Sequence, residues 1–151
     1  MRVYRLFSER FRESAFTGIG GLYAARRWNH LGTAMVYTAT SRALAAIEYF
    51  VHLDPSEAPA DLLMAEAEVP EPLIADLDLA GLPLNWRELD NLACRDLGSE
   101  WVRNGRSAAL RVPSVVVEGD WNLLLHPRHA DFGQIQILGF RPFHFDERMF
   151  R

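Results

Sequence analysis

The sequence predicts an α+β domain in which a mostly antiparallel central sheet is flanked by helices. Predicted strands lie near both ends of the chain, two predicted helices lie between them, and strands and helices do not alternate regularly. Regular alternation would have favoured a parallel, doubly wound sheet. The chain is long enough for one buried core and contains no evident linker, so we expect residues 1–151 to form a single domain.

The first half of the chain contains two predicted strands and one predicted helix. Residues 3–7 and residues 34–39 predict strands, the second because it is dense in β-branched and aromatic side chains. The glycine-rich segment 8–33 between them predicts loops with at most one short helical turn. Ser41 is a suitable N-cap for a helix over residues 42–53. The predicted buried stripe of this helix consists of Leu44, Ile47 and Val51.

A third strand and a second helix are predicted next. Residues 62–69 alternate in polarity, which indicates a strand with one solvent-exposed face. Residues 70–83 contain several prolines and predict a broken strand and a turn. Residues 85–103 predict a helix, because their apolar residues fall close to one side. These residues are Trp86, Leu89, Leu92, Ala93, Leu97 and Trp101.

The C-terminal part of the chain is predicted to be rich in strands. Residues 108–112 and 114–117 predict two strands separated by a proline, and residues 134–140 predict another that is rich in Ile and Leu. Residues 121–126 are interpreted as a short turn. Residues 143–145 are expected to pair at an edge of the sheet.

Composition and charge exclude some function classes. The net charge of −4 argues against a general nucleic-acid or anionic-membrane binder, although it is compatible with a local basic pocket. Cys94 is the only cysteine, so no internal disulfide can form and a thiolate zinc site would lack ligands. No signal-peptide run and no apolar stretch of about 20 residues is present. We therefore expect a cytoplasmic protein.

Common nucleotide-binding and hydrolase motifs are absent. The chain has no P-loop, no G-x-G-x-x-G before a helix and no G-x-S-x-G. His126 and His129 are spaced closely enough to hold a metal, but no H-E-x-x-H supports that reading, and a surface or hydrogen-bonding role is favoured. We expect no metal site.

Three residues from successive segments form a candidate dinucleotide site. Arg27 lies in a loop, Tyr37 on the following predicted strand and Glu48 on the helix after it. Each also has an ordinary structural interpretation, as a solvated cation, a core aromatic and an exposed helix residue. Glu48 fits its interpretation least well, because it borders the apolar stripe, where a carboxylate needs a partner or a ligand. Together, the three groups could pair with pyrophosphate, stack on a heterocycle and stabilise positive charge on a ribose.

Two later polar residues extend this candidate site. Ser114 follows a predicted strand, and Asn122 lies eight residues further on. Short polar side chains of this kind can hold ribose or amide oxygens at a fixed depth. Turn formation is the competing interpretation, since serine and asparagine are common in turns.

Two blocks of sequence resemble the signature of the RES domain, a family of bacterial toxins. The first is R-W-N-x-x-G-x-x-x-V-Y-T-A-x-S-x-A-L-A-x-x-E, from Arg27 to Glu48, and the second is R-V-P-S-V-V-V-x-x-x-x-N-x-L-L-x-P, from Arg111 to Pro127. Family members often carry Gly-Gly before Arg-Trp, where this chain has Ala25-Arg26, and an Asn where it has His126.

The resemblance implies an ADP-ribosyltransferase-like fold and a toxin of a toxin–antitoxin pair. The implied reaction is cleavage of NAD⁺ at the nicotinamide–ribose bond by hydrolysis or phosphorolysis, with no cofactor beyond NAD⁺ as substrate. The implied partner is an antitoxin with an Xre-like helix-turn-helix domain whose C-terminal part covers the toxin's cleft. A homodimer within a larger toxin–antitoxin complex is compatible with the resemblance; direct nucleic-acid or membrane binding is not expected.

The resemblance also assigns roles to individual residues. Glu48 is the expected essential glutamate, Arg27 the phosphate-binding arginine and Tyr37 the nicotinamide-stacking tyrosine, and these three form the expected catalytic set. The expected substrate-binding residues are Arg27, Trp28, Asn29, Tyr37, Ser114 and Asn122. Two alternatives stay open at this point: mono-ADP-ribosylation of a protein target, and a non-catalytic dinucleotide-binding module.

Overall fold

A single seven-stranded sheet organises the computed structural model, which describes residues 1–151. The strands are β1 (Arg2–Ser8), β2 (Val36–Ala39), β3 (Leu62–Glu68), β4 (Ile74–Asp76), β5 (Ala109–Pro113), β6 (Trp121–Leu125) and β7 (Gln136–Phe143). The α-helices are α1 (Gly20–Tyr23), α2 (Arg42–Phe50) and α3 (Leu92–Asn104). Short 3₁₀ helices span Glu9–Ser14, Glu71–Leu73, Leu79–Gly81, Phe132–Gln134 and Glu147–Phe150.

The strand order across the sheet is β4-β5-β6-β2-β1-β3-β7. Every neighbouring pair is antiparallel except β4 and β5, which are parallel. Strands from both ends of the chain therefore pair in one sheet. The predicted α+β class with a mostly antiparallel sheet is confirmed.

Apolar side chains fill both faces of the sheet. One cluster contains Val3, Phe7 and Leu123, and a second lies beneath α3, where Cys94 is free and fully buried. A third cluster joins α2 to the sheet through Leu44. None of the helices combines the length and the apolar composition needed to cross a bilayer.

The helix that carries Glu48 begins and packs largely as the sequence indicates. The Ser41 hydroxyl accepts a hydrogen bond from the Leu44 backbone N–H, which confirms the predicted N-cap. The helix ends at Phe50, three residues before the predicted end. Val51 is 51% exposed and lines a cleft instead of the core, so its assignment to the buried stripe was wrong.

The sheet corrects two predictions, the single exposed face of residues 62–69 and the turn at residues 121–126. Strand β3 is covered on both faces at its start, because Leu63 packs in the largest core cluster and Leu62 and Met64 pack in the cluster beneath α2. Only Glu66 and Glu68 keep the predicted polar alternation. Residues 121–126, interpreted as a turn, contain β6 near the centre of the sheet. A strand buried on both faces lacks alternation and presents a continuous apolar run, here Leu123 to Leu125.

Two further predicted elements are absent. Residues 114–117 form a bend instead of a strand, because the Ser114 hydroxyl accepts hydrogen bonds from the backbone N–H groups of Val116 and Val117 and so competes with strand pairing. Residues 85–91 precede α3 instead of belonging to it. Asp90 has a φ of 56°, and the Asn91 side chain caps the helix by accepting from the Cys94 N–H.

The chain ends differ little from expectation. Strand β7 forms the outer edge of the sheet and includes Phe143, while residues 144–145 lie beyond it. Segment 8–33, predicted as loops with at most one short helical turn, contains a 3₁₀ helix over Glu9–Ser14 in addition to the single turn α1.

Candidate active site

A cleft of about 730 Å³ opens beside the centre of the sheet. Strands β1 and β2, helix α2, the loop after α1 and the segment before α3 all contribute side chains to its walls. Arg27, Tyr37 and Glu48 line this one cleft, and Trp28 and Asn122 join them. The volume lies within the range of roughly 300–1,000 Å³ that is typical of small-molecule sites.

Tyr37 is held rigidly at the wall of the cleft. Its hydroxyl donates to Asn29 Oδ1 over 2.7 Å and accepts from the Trp28 backbone N–H over 3.0 Å. Burial raises the pKa of Tyr37 well above its usual value, so the phenol stays neutral at physiological pH. The fixed hydroxyl leaves the ring as the part of the side chain available to a flat heterocycle.

Asn29 organises the loop and does not line the cleft. Its side chain is fully buried, and its amide nitrogen donates to the carbonyl oxygens of Ala24 and His30. Arg26 and Asn29 close the intervening turn by a backbone hydrogen bond. Ala25 and Arg26 both keep negative φ angles, so this loop does not need the glycines common at these positions in the family it resembles.

Arg27 is anchored through one of its nitrogens. Nη1 donates to the carbonyl oxygens of Trp86 and Glu88, over 2.8 and 3.2 Å. These acceptors belong to the segment before α3, which had been predicted as helix. The carbonyls fix the side chain without neutralising its charge, and no carboxylate pairs with it.

Glu48 is oriented by Ser114. The Ser114 hydroxyl donates to Glu48 Oε1 over 2.7 Å, while its own oxygen accepts from two backbone N–H groups. Ser114 is 1% exposed and lies behind the carboxylate, not at the surface of the cleft. Its position is that of a residue that holds Glu48, which differs from the direct substrate contact expected from the sequence.

Asn122 and Trp28 also line the cleft. Asn122 lies on β6, paired with Ala39 of β2, and its amide donates to the Thr38 carbonyl oxygen. Trp28 is 2% exposed and packs mainly against Trp86 beneath the loop, so it offers little surface to a ligand.

The cleft is cationic although the whole chain is acidic. Two carboxylates line it, Glu48 and Asp90, and Asp90 pairs with an arginine. The five arginines that line it are Arg5, Arg26, Arg27, Arg87 and Arg95. Arg5, Arg26 and Arg27 form no ion pair with any carboxylate. Cations without carboxylate partners favour an anionic ligand.

Sequence reasoning did not single out the other four arginines. Arg26, Arg87 and Arg95 belong to segments whose paths depend on tertiary packing, and no spacing rule points to them. Arg5 carried a usable signal, because it occupies the middle of a strand between Val3 and Phe7, on the face where an apolar residue is expected.

The two candidate metal ligands lie away from the cleft. His126 packs against Trp101, and the His129 Nε2 lies 2.8 Å from the Gly105 carbonyl oxygen. The structure contains no group of three or more His, Cys, Asp or Glu side chains that could hold a metal ion.

Comparison with known proteins matches the sequence to one family. The RES domain model covers residues 2–146, nearly the whole chain. The chain belongs to the RES domain family. The predicted family resemblance is thereby confirmed.

Curated relatives of this RES domain are toxins. It is 36% identical to "Toxin Res" of Yersinia enterocolitica over 99% of both chains. It is 38% identical to "Prs ADP-ribosylating toxin" of Sphingobium sp. over 89% of this chain and 86% of the relative.

A solved structure shows the same fold. The RES domain superposes on a chain of the M. tuberculosis MbcT–MbcA toxin–antitoxin complex with a TM-score of 0.71 and 17% identity. The match covers 95% of this chain and 84% of the other. It therefore supports the overall architecture independently of the sequence relatives.

Proposed function

We propose that this RES domain is the toxin of a toxin–antitoxin pair and that it cleaves NAD⁺ at the nicotinamide–ribose bond. One observation carries the proposal: an arginine, a tyrosine and a glutamate from a loop, a strand and a helix line one cationic cleft. Arg27 pairs with the diphosphate, the Tyr37 ring stacks on nicotinamide, and Glu48 lies beside the ribose.

In the proposed reaction the bond between the ribose anomeric carbon and the nicotinamide nitrogen breaks. The bonding electrons leave with nicotinamide, which departs neutral, and positive charge develops on the ribose. The Glu48 carboxylate, oriented by Ser114, stabilises this charge. Water then attacks the anomeric carbon and releases a proton to solvent, which gives ADP-ribose; alternatively, an anionic oxygen of inorganic phosphate attacks and gives ADP-ribose 1-phosphate.

The decisive experiment measures free nicotinamide after the purified chain is incubated with NAD⁺, with and without phosphate. Glu48→Gln should fold normally and lose about 10²–10³-fold in rate, as is typical when a group that stabilises transition-state charge is removed. Glu13→Gln, at an exposed position on the first 3₁₀ helix, is the matched control and should keep full activity. A fully active Glu48→Gln variant would end the assignment.

A second candidate function is transfer of ADP-ribose to a protein. It is favoured by the name of one relative, an ADP-ribosylating toxin. Incubation of a cell extract with labelled NAD⁺ separates the two reactions: a labelled protein band supports transfer, and free nicotinamide without labelled protein supports cleavage. If neither forms, the result favours a non-catalytic dinucleotide-binding module.

The proposed partner is an antitoxin with an Xre-like helix-turn-helix domain. The structural neighbour was crystallised as a toxin–antitoxin complex, which supports an antitoxin partner. Co-purification of the tagged chain with the product of an adjacent helix-turn-helix gene tests this proposal, and size-exclusion chromatography of the complex tests for two toxin copies.

A further inference from the structure

Arg5 occupies a position in β1 that should be apolar. Its neighbours two residues away, Val3 and Phe7, lie in the largest core cluster and are 0% and 4% exposed. Because side chains two residues apart point to the same face of a strand, the backbone directs Arg5 toward the interior. Its side chain nevertheless lines the cleft.

The route from the strand to the cleft is a gap between β1 and β2. Strand β1 pairs with β3 along all seven of its residues, but it pairs with β2 only at Tyr4 and Ala39. Arg5 Nη1 donates to the Tyr37 carbonyl oxygen over 2.9 Å and so bridges the two strands where they separate. The guanidinium is thereby placed next to the backbone of Tyr37.

The charge of Arg5 is not balanced within the protein. Its Nε is buried without a hydrogen-bond partner, Nη2 makes no hydrogen bond within the protein, and no carboxylate pairs with the side chain. Burial, reinforced by the nearby charge of Arg26, lowers the pKa of Arg5 to about 10, so it is still cationic at neutral pH. A desolvated cation without a counter-ion is costly, which leads us to expect an anion from outside the chain.

We propose that Arg5 is a second phosphate-binding residue of the cleft. A planar guanidinium that still has unused N–H donors can pair with the oxygens of a phosphate group. This inference rests on the proposed function and extends it. The phosphate oxygens come from one of two sources: the diphosphate of the dinucleotide, or inorganic phosphate that serves as the acceptor of ADP-ribose.

Binding measurements without turnover test the proposal. Calorimetric titration gives the Kd of ADP-ribose, inorganic phosphate and adenosine for the wild type and Arg5→Gln. We expect a loss of about tenfold or more in affinity for a phosphate-bearing probe, with adenosine unchanged. Arg2→Gln is the matched control, because Arg2 lies on the same strand but pairs with Glu66 and Glu68 outside the cleft.

ADP-ribose and inorganic phosphate, used as separate probes, distinguish the two sources of the phosphate oxygens. Weaker binding of ADP-ribose alone identifies the diphosphate, whereas weaker binding of inorganic phosphate alone identifies the acceptor. Unchanged affinity for both probes overturns the proposal. An equal loss for adenosine also overturns it, since Arg5 would then only maintain the shape of the cleft.

A second variant covers the case in which Arg5→Gln does not fold. Arg5→Lys keeps the charge and a donor for the Tyr37 carbonyl but loses the forked geometry. Folded Arg5→Lys should bind the phosphate-bearing probe about threefold or more weakly than the wild type, and unchanged affinity would contradict the proposal. If phosphate-bearing probes bind through Arg5 but the chain releases no nicotinamide from NAD⁺, only the proposed function is contradicted. A chain that cleaves NAD⁺ with binding independent of Arg5 contradicts only this inference.

Discussion

At the scale of single residues, buried side chains hold those that line the cleft. Asn29 accepts from the Tyr37 hydroxyl, and Ser114 donates to the Glu48 carboxylate, while neither lines the cleft. A rigid ring and a rigid carboxylate lower the cost of reaching the reactive geometry, because their orientation is set before the substrate binds. The sequence placed Asn29 and Ser114 near the site without revealing these supporting contacts.

Ser114→Ala tests the supporting role. We expect kcat to fall by roughly 10- to 100-fold with KM little changed, because the carboxylate loses its orientation while the dinucleotide contacts stay in place. Ser107→Ala is the control: its hydroxyl also bonds a buried group, the Trp101 indole N–H, but it lies outside the cleft. An unchanged kcat in folded Ser114→Ala would show that Glu48 does not need this hydrogen bond.

The raised pKa of Tyr37 predicts a specific dependence of the free energy of unfolding on pH. Its pKa is raised in the folded state, so the folded chain holds this proton after the unfolded chain has lost it. The contribution of Tyr37 is therefore complete below about pH 10, the ordinary tyrosine value, and declines above it. Between pH 9 and 11 the free energy of unfolding, measured with urea, should fall more steeply for the wild type than for Tyr37→Phe. Parallel slopes would contradict the assignment.

At the scale of elements, close backbone packing positions the loop that carries Arg27. Helix α3 passes so near this loop that a Cβ added at Gly98 would lie 1.8 Å from the Trp28 carbonyl oxygen. Only glycine permits such an approach. The contact ties the far side of the loop to a long helix, while the segment before that helix holds the Arg27 guanidinium.

Gly98→Ala should therefore disturb both stability and binding. We expect about 1–3 kcal/mol lower free energy of unfolding, the usual cost of overpacking, and a higher KM for NAD⁺ because the Arg27 loop must shift. Gly133→Ala is the control, since an added Cβ there meets nothing within 4 Å and should change stability by less than about 0.5 kcal/mol. Equal stability of the two variants in urea unfolding would contradict the packing argument.

The elements also show which local signals can be trusted. The Ser41 cap and the strand at the N-terminus follow from residue chemistry and are confirmed. The predicted turn at 121–126 and helix at 85–91 were wrong, because burial of β6 on both faces and the backbone turn at Asp90 depend on distant residues. Hydrophobic periodicity does not predict an element correctly where distant parts of the chain decide which of its faces are buried.

At the scale of the whole molecule, the charges are distributed unevenly. The chain carries a net charge of −4, yet five arginines and two carboxylates line the cleft. Such a concave cationic surface attracts anionic ligands locally, while the acidic remainder disfavours nonspecific binding to nucleic acids. The prediction that a basic pocket is compatible with the net charge is confirmed.

Because loop, sheet and helices all contribute to the cleft, a ligand should stabilise the entire fold. At a concentration 100 times its Kd, ADP-ribose should add about 2.7 kcal/mol to the free energy of unfolding. For a chain of this size that corresponds to a rise in Tm of roughly 5–10 °C, measurable by calorimetry. Arg27→Ala should show a much smaller rise at the same concentration. No rise in the wild type at millimolar ADP-ribose would argue against this cleft as the dinucleotide site.

The sequence by itself determined the fold class and the family and predicted the Arg27, Tyr37 and Glu48 set, because short-range chemistry and the two motif blocks encode them locally. The tertiary structure decided that these three residues share one cleft and that Arg5 joins them through a gap between strands. It also decided that Ser114 and Asn29 hold Glu48 and Tyr37 in place without lining the cleft. Such relations depend on which strands become neighbours, and the packing of the whole chain fixes that order.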